Sequence, residues 1–292
     1  MALYTTYDQI GQAEDVSDVI SNISPTKTPF SSSIGDDKVS ARLFEWQEDS
    51  LRAVQVNAKL EGFTASDATL TATTMRNNVT QILEKTVKIS ATSDAVKTYG
   101  RAKETAYQLA KASEEVKRDL EHAMVGLDQA LVNVDASTAR KFASASNQID
   151  SGVQTDASTA PLDESMVLAN HQAVYNAGAE PTILMIKPAD SLIVSEFAMV
   201  TGRERTVDGQ KLVNAVKVDV SPFVELKIVM NRFMKTSNAI SYDPDMWKRG
   251  VLRNWTRTTL AKTGDNDMHM LVGEFSLKHM NQSASGLIKG LT

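Results

Sequence analysis

The stretch YGRAKETAYQLAKASEEVKRDLEHAMVGL, residues 99–127, decides the fold. Its small and apolar side chains recur three or four positions apart, as they do on one face of an α-helix: Tyr99, Ala102, Ala106, Leu109, Ala110, Ser113, Val116, Leu120, Ala123, Met124 and Leu127. Charged side chains fill the opposite face: Arg101, Lys103, Glu104, Lys111, Glu114, Glu115, Lys117, Arg118, Asp119 and Glu121. No proline interrupts the run, and at about 1.5 Å per residue the helix is about 40 Å long.

This predicted helix has a capping candidate at each end and a narrow apolar stripe. Ser93 or Asp94 can cap its start, and Gly126 can help to end it. Because an alanine-rich stripe does not close a compact core by itself, we expect a spine on which sheets are laid. An ordinary core helix of an enzyme is the alternative interpretation.

Residues 38–90 predict a long β-hairpin that precedes the spine. Lys38 to Trp46 has the composition of a strand, and Val79 to Ile89 alternates between apolar and polar side chains. A polar, threonine-rich region, 61–78, separates them. Two such arms reach on the order of 50–60 Å at about 3.3 Å per residue, and an isolated hairpin is not stable in water. We therefore expect the hairpin to lie on a neighbouring copy of the chain; a hairpin folded into its own sheet is the alternative.

Residues 1–37 have the features of an arm. A short helix is expected over 13–23, and prolines at positions 25 and 29 favour an extended chain after it. Six acidic residues stand against one lysine here, which accounts for the whole net charge of −5. Such an arm is either a solvated surface or a segment that binds a basic patch on a neighbour. The first residues have no basic or apolar run, so no signal peptide is expected.

The second half of the chain predicts an α/β unit followed by a β-hairpin. Helices are expected over 162–177 and 189–199, a short helix over 138–146, and strands over 182–186, 211–220, 226–233 and 239–242. Strands over 247–262 and 268–279 flank a Thr-Gly-Asp-Asn-Asp turn. The order of elements places the chain in the α+β class.

Composition and motifs argue against an enzyme. The chain has no cysteine, which excludes disulfides and thiol chemistry. Its four histidines show no metal-ligand spacing, and there is no phosphate loop, dinucleotide fingerprint or nucleophile elbow. No stretch is long and apolar enough to span a membrane. We therefore predict no catalytic, cofactor-binding or metal-binding residue.

One strand pattern suggests nucleic-acid binding. One face of one strand would carry interleaved arginine and aromatic side chains, as in surfaces that stack bases and contact phosphates: Trp247, Arg249, Val251, Arg253, Trp255 and Arg257. The favoured alternative is a strand whose long side chains cover a helix or pair with acidic neighbours.

Several short segments, taken in order, resemble one group of tailed-bacteriophage major capsid proteins with the Hong-Kong-97-type fold. They are EDVSDVI at 14–20, NISPTKTPF at 22–30, EWQ with DSL at 45–51, GRA through YQLA to KRD at 100–119, TARK at 138–141, NRF at 231–233, DPD at 243–245 and LAKTGD at 260–265. No single motif is specific, but the ordered set covers nearly the whole chain.

The resemblance implies a Hong-Kong-97-like architecture and a self-assembling shell. Its parts would be an N-terminal arm (1–37), an extended loop (38–92), a peripheral domain with the spine helix (93–161), an axial domain (162–242) and a returning peripheral hairpin with the tail (243–292). Hexamers and pentamers would close an icosahedral head around double-stranded DNA, in a virion assembled in the host cytoplasm. The fold is shared by encapsulin-like nanocompartment shells, which are the alternative function, and an α/β enzyme is the third.

The resemblance also implies partners and contact residues. Besides itself, the chain would meet a portal, a separate scaffolding protein, since the arm begins at once, and a decoration protein; we match no cross-linking Lys–Asn pair. Contacts between subunits are expected at Glu14, Asp15, Asp18, Pro25, Pro29, Trp46, Arg52, Lys59, Glu61, Arg203 and Arg205.

Overall fold

The computed structural model describes residues 26–65, 67–68, 70–97, 103–200, 218–220 and 225–292. The expected arm helix at 13–23 lies outside these residues. The first four residues of the spine stretch, 99–102, and most of the expected strand at 211–220 also lie outside the described part.

The spine helix is present as α3, Glu104–Val125. Alanine, leucine, glutamate and lysine dominate it, and these are strong helix formers. The Asp94 carboxylate accepts a hydrogen bond from the Thr105 backbone N–H at 3.1 Å, so the expected cap acts from a separate short helix. Gly126 follows the last helical residue, and a Cβ there would lie 2.0 Å from the His122 ring and 2.3 Å from the Phe233 carbonyl oxygen. Close packing therefore requires glycine at this position.

A four-stranded sheet carries α3 on one face. Its strand order is β1-β10-β11-β4, with β1 parallel to β10 and the other pairs antiparallel. The strands are β1 Gly35–Lys38, β4 Gln81–Ser90, β10 Trp247–Thr259 and β11 Asn266–His279. The terminal hairpin predicted from the sequence supplies β10 and β11, and Lys85 on β4 pairs with Glu115 on α3 at 3.4 Å.

The extended hairpin is organised differently from our expectation. Only β2 Leu43–Glu48 and β3 Thr74–Val79 pair with each other, over six residues each. The expected return arm, 79–89, instead supplies β4, which pairs with β11 along its whole length. The physical reason is burial, because Leu83 packs against the main core and Ile89 is itself buried.

A six-stranded mixed sheet forms the other layer, in the order β5-β12-β9-β6-β8-β7. Its strands are β5 Gln154–Asp156, β6 Ile183–Ile186, β7 Val218–Val220, β8 Glu225–Met230, β9 Ala239–Tyr242 and β12 Gly286–Lys289. The helices α5, Glu164–Asn176, and α6, Asp190–Val200, accompany it. The sequence-based division placed the residues of β5 and β12 outside 162–242, whereas both pair within this sheet.

The core has two buried clusters. The larger one gathers aromatic and aliphatic side chains where α3 meets both sheets, including Phe30, Leu120, Phe142, Tyr242, Trp247 and Phe275. The second lies in the six-stranded layer, around Leu162, Leu184, Ile186 and Ile288. Three short α-helices are also described: α1 Pro29–Ser33, α2 Ala91–Ala95 and α4 Ala145–Gln148, the last replacing the helix expected over 138–146. Two 3-10 turns, Ser151–Val153 and Pro244–Met246, accompany them.

Candidate assembly surface

Residues 49–73, here called the exposed segment, leave the body between β2 and β3. Within its described part, residues 49–60 pair with no strand. Five large apolar side chains are each at least 86% exposed: Leu51, Val54, Val56, Leu60 and Leu70. Burying a side chain of this size is favourable by about 1.5–3 kcal/mol, so these five together represent on the order of 10 kcal/mol of unused burial.

The first half of the exposed segment has the pattern of an amphipathic β-strand. Val54, Val56 and Leu60 alternate with Gln55, Asn57 and Lys59 along the chain, and alternation with a period of two places each set on one side of an extended strand. Gly62, at a φ of +80°, then turns the chain, and the Phe63 N–H donates to the Leu60 carbonyl at 3.2 Å. Twelve residues from Asp49 to Leu60 reach about 40 Å if extended. This alternation is a signal that the sequence analysis, with strands over 38–46 and 79–89 and a polar region over 61–78, did not use.

The paired stem of the hairpin, β2 and β3, lies against its own body. Trp46 stacks on Phe44 with ring centroids 5.6 Å apart, and the Lys278 ammonium lies 6.0 Å from the Trp46 ring centre. The Glu48 carboxylate accepts from Arg76 Nε at 3.1 Å and from the Gln282 backbone N–H at 3.1 Å. The stem is therefore held by its own subunit. Its strand pairing ends at Glu48 and Thr74, and the exposed segment lies between these two residues.

The junction between β3 and β4 is fixed by buried polar side chains. Asn78 is fully buried, donates to the carbonyl oxygens of Ala143 and Leu277, and accepts from the Ala143 N–H. The Thr80 hydroxyl donates to Glu274 at 2.6 Å. Because Ala143, Leu277 and Glu274 each lie at least 65 positions away from the junction residue they contact, this junction is set by tertiary structure.

Glu274 is the charged centre of that junction. Its carboxylate is nearly buried and is contacted by Arg140 at 2.7 Å and by Arg253 at 3.0 Å. Two guanidinium groups offset the desolvation of one carboxylate, which is the arrangement that buried charges require. Both oxygens of the Glu274 carboxylate therefore contact side chains of the same subunit.

A second buried carboxylate anchors the chain where the arm meets the body. Glu121 on α3 was expected on the charged face, but it is completely buried. It accepts hydrogen bonds from the backbone N–H groups of Phe30 and Ser31, both at 2.8 Å, and from the Asn231 amide at 2.6 Å. Burial raises the pKa of Glu121, and these hydrogen bonds oppose that rise. The start of α1, with Pro29 in its first turn, is thereby attached to the spine.

Two histidines are buried in neutral form. Burial lowers the pKa of His279 to about 3 and that of His171 to about 4. His279 stacks on Trp247 at a centroid distance of 3.8 Å and meets the Ser285 hydroxyl at 3.0 Å. Neither ring nitrogen of His171 has a hydrogen-bond partner among the described residues. Among the described residues, no group of three or more His, Asp or Glu side chains could hold a metal ion.

The Arg-rich strand does not present the face that strict alternation predicts. Irregular register between Val251 and Thr256 on β10 interrupts the alternation. Arg249 makes a bidentate contact with Asp36 at 2.7 and 2.9 Å, and Arg253 contacts Glu274. These contacts favour the alternative interpretation, in which the arginines pair with acidic neighbours.

The predicted contact residues fall into three groups. Arg52, Lys59 and Glu61 lie in the exposed segment and are exposed, whereas Trp46 lies in the stem and Pro29 begins α1, each half-buried within its own subunit. The other predicted positions lie outside the described residues: Glu14, Asp15, Asp18, Pro25, Arg203 and Arg205. Sequence reasoning missed Glu48, Asn78, Glu121 and Glu274, for which the sequence carries no local signal.

Comparisons with known proteins agree with this architecture. A sequence profile described as SU10 major capsid protein matches residues 3–292. The major capsid protein of Escherichia phage Phieco32 is 31% identical over 338 aligned positions, covering 98% of this chain and 96% of that protein.

Solved structures are similar in fold at low sequence identity. A chain from Gordonia phage Cozz has a TM-score of 0.65 at 14% identity, covering 97% of this chain and 92% of that one. A capsid chain of a native GTA particle gives 0.66 at 10% identity, covering 100% of both chains. The SrpI encapsulin of Synechococcus elongatus PCC 7942 gives 0.65 at 8% identity, covering 100% of this chain and 96% of that one. Within the described part of the chain, no helix has both the length and the apolar character to cross a membrane.

Proposed function

We propose a mode of assembly for this chain, which belongs to the SU10 major capsid protein family and is a major capsid protein of a phage, with the Hong-Kong-97-like fold. Copies of the chain form the multimeric shell of the virion. What remains to be assigned is which surfaces join the copies and how.

The exposed segment is the principal contact between copies. Five of its large apolar side chains are almost fully exposed, and its backbone from 49 to 60 pairs with no strand among the described residues. A soluble chain rarely leaves such a run uncovered unless another surface receives it. In a closed homopolymer this surface belongs to a second copy of the chain. The exposed segment of each copy then packs on a neighbouring copy, and the body of each copy binds the exposed segment of another neighbour. Exposed Arg52, Lys59 and Glu61 would contribute polar contacts at the edge of that interface.

The two sheets correspond to the two domains of a shell subunit. We assign α3 with the four-stranded sheet to the peripheral domain, and the six-stranded sheet with α5 and α6 to the axial domain. The strand pairings support including β5 and β12 in the axial domain, so its boundaries extend beyond 162–242. Hexamers and pentamers would then form around the axial domains.

Further contacts follow from charge and position. The acidic residues Glu14, Asp15 and Asp18 would bind a basic neighbouring surface together with Pro25 and Pro29 at the arm, and Arg203 and Arg205 would contribute at the axial domain. A portal, a separate scaffolding protein, a decoration protein and packaged double-stranded DNA, bound without sequence specificity, are the remaining proposed partners. We propose no enzymatic activity, because the buried carboxylates at positions 121 and 274 are occupied by intramolecular donors.

A nanocompartment shell is the alternative function. An encapsulin is among the similar structures, but at 8% identity that likeness concerns the fold alone. The 31% identity to a phage capsid protein over 98% of the chain favours the phage shell.

A pair of matched variants tests the role of the exposed segment. In Val54→Asp/Val56→Asp, two carboxylates replace the apolar side, and in Gln55→Asp/Asn57→Asp they replace the polar side of the same segment. The apolar-side variant is expected to stay folded and to sediment as small oligomers, while the polar-side variant and the unchanged protein form shells visible by electron microscopy. Normal shells from the apolar-side variant would refute the proposed contact.

A further inference from the structure

Beside the contacts that hold the stem of the hairpin, an open cleft lies between part of the stem and the body. About 460 Å³ of space lies between them, bordered on the stem side by Trp46, Glu48 and Arg76 and on the body side by residues that include Gln148 and Gln282. Across such a cleft side-chain packing is incomplete, so van der Waals contact alone does not fix how far the stem stands from the body. Directional contacts have to do so.

One directional contact spans the outer end of the cleft. Glu48 is the last paired residue of β2, and its carboxylate joins Arg76 of β3 to the Gln282 backbone N–H of the body. The nearby Trp46 indole N–H is buried and has no hydrogen-bond partner within the described part of the chain, so it contributes no comparable bond there. The inner end of the stem is held separately, by Asn78 and by Thr80 with Glu274.

We propose that Glu48 is a positioning residue that ties the outer end of the stem to Gln282 and so sets the direction in which the exposed segment leaves the body. This inference rests on the proposed function, since direction matters only if a neighbour receives the segment. The segment reaches about 40 Å beyond Glu48, and a small tilt at its base therefore displaces its tip by many ångströms. Fixing the base reduces the number of orientations that have to be lost when copies associate.

The contact to Gln282, and not the ion pair, carries the positioning. The Arg76 side chain is 37% exposed and can return to water, and ion pairs at such exposure contribute little. In Glu48→Gln the side-chain carbonyl can still accept the Gln282 N–H, whereas Glu48→Ala removes the acceptor. Glu45→Ala is a matched control, because Glu45 is an exposed carboxylate on the same strand.

Distance measurements on unassembled subunits test the proposal. The chain has no native cysteine, so spin labels at Met75→Cys on the stem and Lys111→Cys on α3 report the angle of the stem by pulsed electron resonance. Glu48→Ala is expected to shift and broaden the distance distribution and to lower the fraction of subunits in closed shells. Glu48→Gln and Glu45→Ala are expected to match the unchanged protein in both measurements.

Three results would overturn the inference. An unchanged distance in Glu48→Ala, a Glu48→Gln shift as large as that of Glu48→Ala, or normal shell yield despite a shifted stem would each contradict it. Failure of the proposed function is recognised separately, as normal shells from Val54→Asp/Val56→Asp. A melting temperature near that of the unchanged protein shows that Glu48→Ala remains folded.

Discussion

Replacing His171 with leucine should remove a defined part of the acid sensitivity of the subunit. Burial lowers the pKa of His171 to about 4, against 6.5 for the free side chain. Above pH 6.5 the ring is neutral in both the folded and the unfolded chain. Below it, the unfolded chain binds a proton that the folded chain does not, so the free energy of unfolding falls by about 1.4 kcal/mol per pH unit until about pH 4.

The expected magnitude between pH 7.5 and pH 5 is about 2 kcal/mol for this one group. Urea unfolding of unassembled subunits at the two pH values measures it in both proteins. Other titratable groups are common to both proteins and cancel in the difference. His171→Leu should also not destabilise the subunit at pH 7.5, since neither ring nitrogen has a hydrogen-bond partner to lose among the residues that the structure describes. An equal pH dependence of the free energy of unfolding in the two proteins would refute the lowered pKa of His171.

Three further predictions concern other parts of the chain. Glu274→Ala should lower the free energy of unfolding, measured by urea unfolding, by about 3 kcal/mol, because two arginines lose their buried counter-charge. A loss no larger than that of an exposed substitution would contradict the stabilising role of Glu274 at the junction of β3 and β4. Gly126→Ala should cost about 1–3 kcal/mol through crowding at the end of α3, and thermal unfolding that is unchanged would argue against the close packing there. Neutralising Glu14, Asp15 and Asp18 together should weaken the salt dependence of assembly, which light scattering measures. An unaltered salt dependence would contradict the proposed contact of the arm with a neighbouring copy.

The sequence predicts those elements whose periodicity and caps are local. The spine and the terminal hairpin are confirmed, because the apolar spacing of α3 and the Gly-Asp turn between β10 and β11 are both complete within a short stretch. The order of elements and the short matching segments together also identified the Hong-Kong-97-like fold correctly.

The sequence does not predict contacts that depend on distant partners. Glu121 has the same spacing as the exposed charges of its helix, yet its donors lie 90 or more positions away. Similarly, the alternation in 79–89 predicts a strand but not which strand pairs with it. In the structure β4 pairs with β11, where Ile89 is buried and Leu83 packs against the larger core cluster. The short strand β12 was missed, because four residues are too few to establish a period.

The most direct measurement of the central claim is an electron cryomicroscopy reconstruction of the assembled shell. We predict that Val54, Val56 and Leu60 of every copy lie buried against a different copy, with the stem in the orientation fixed by Glu48. A shell in which these side chains fold back onto their own subunit, or remain open to solvent, would contradict the account.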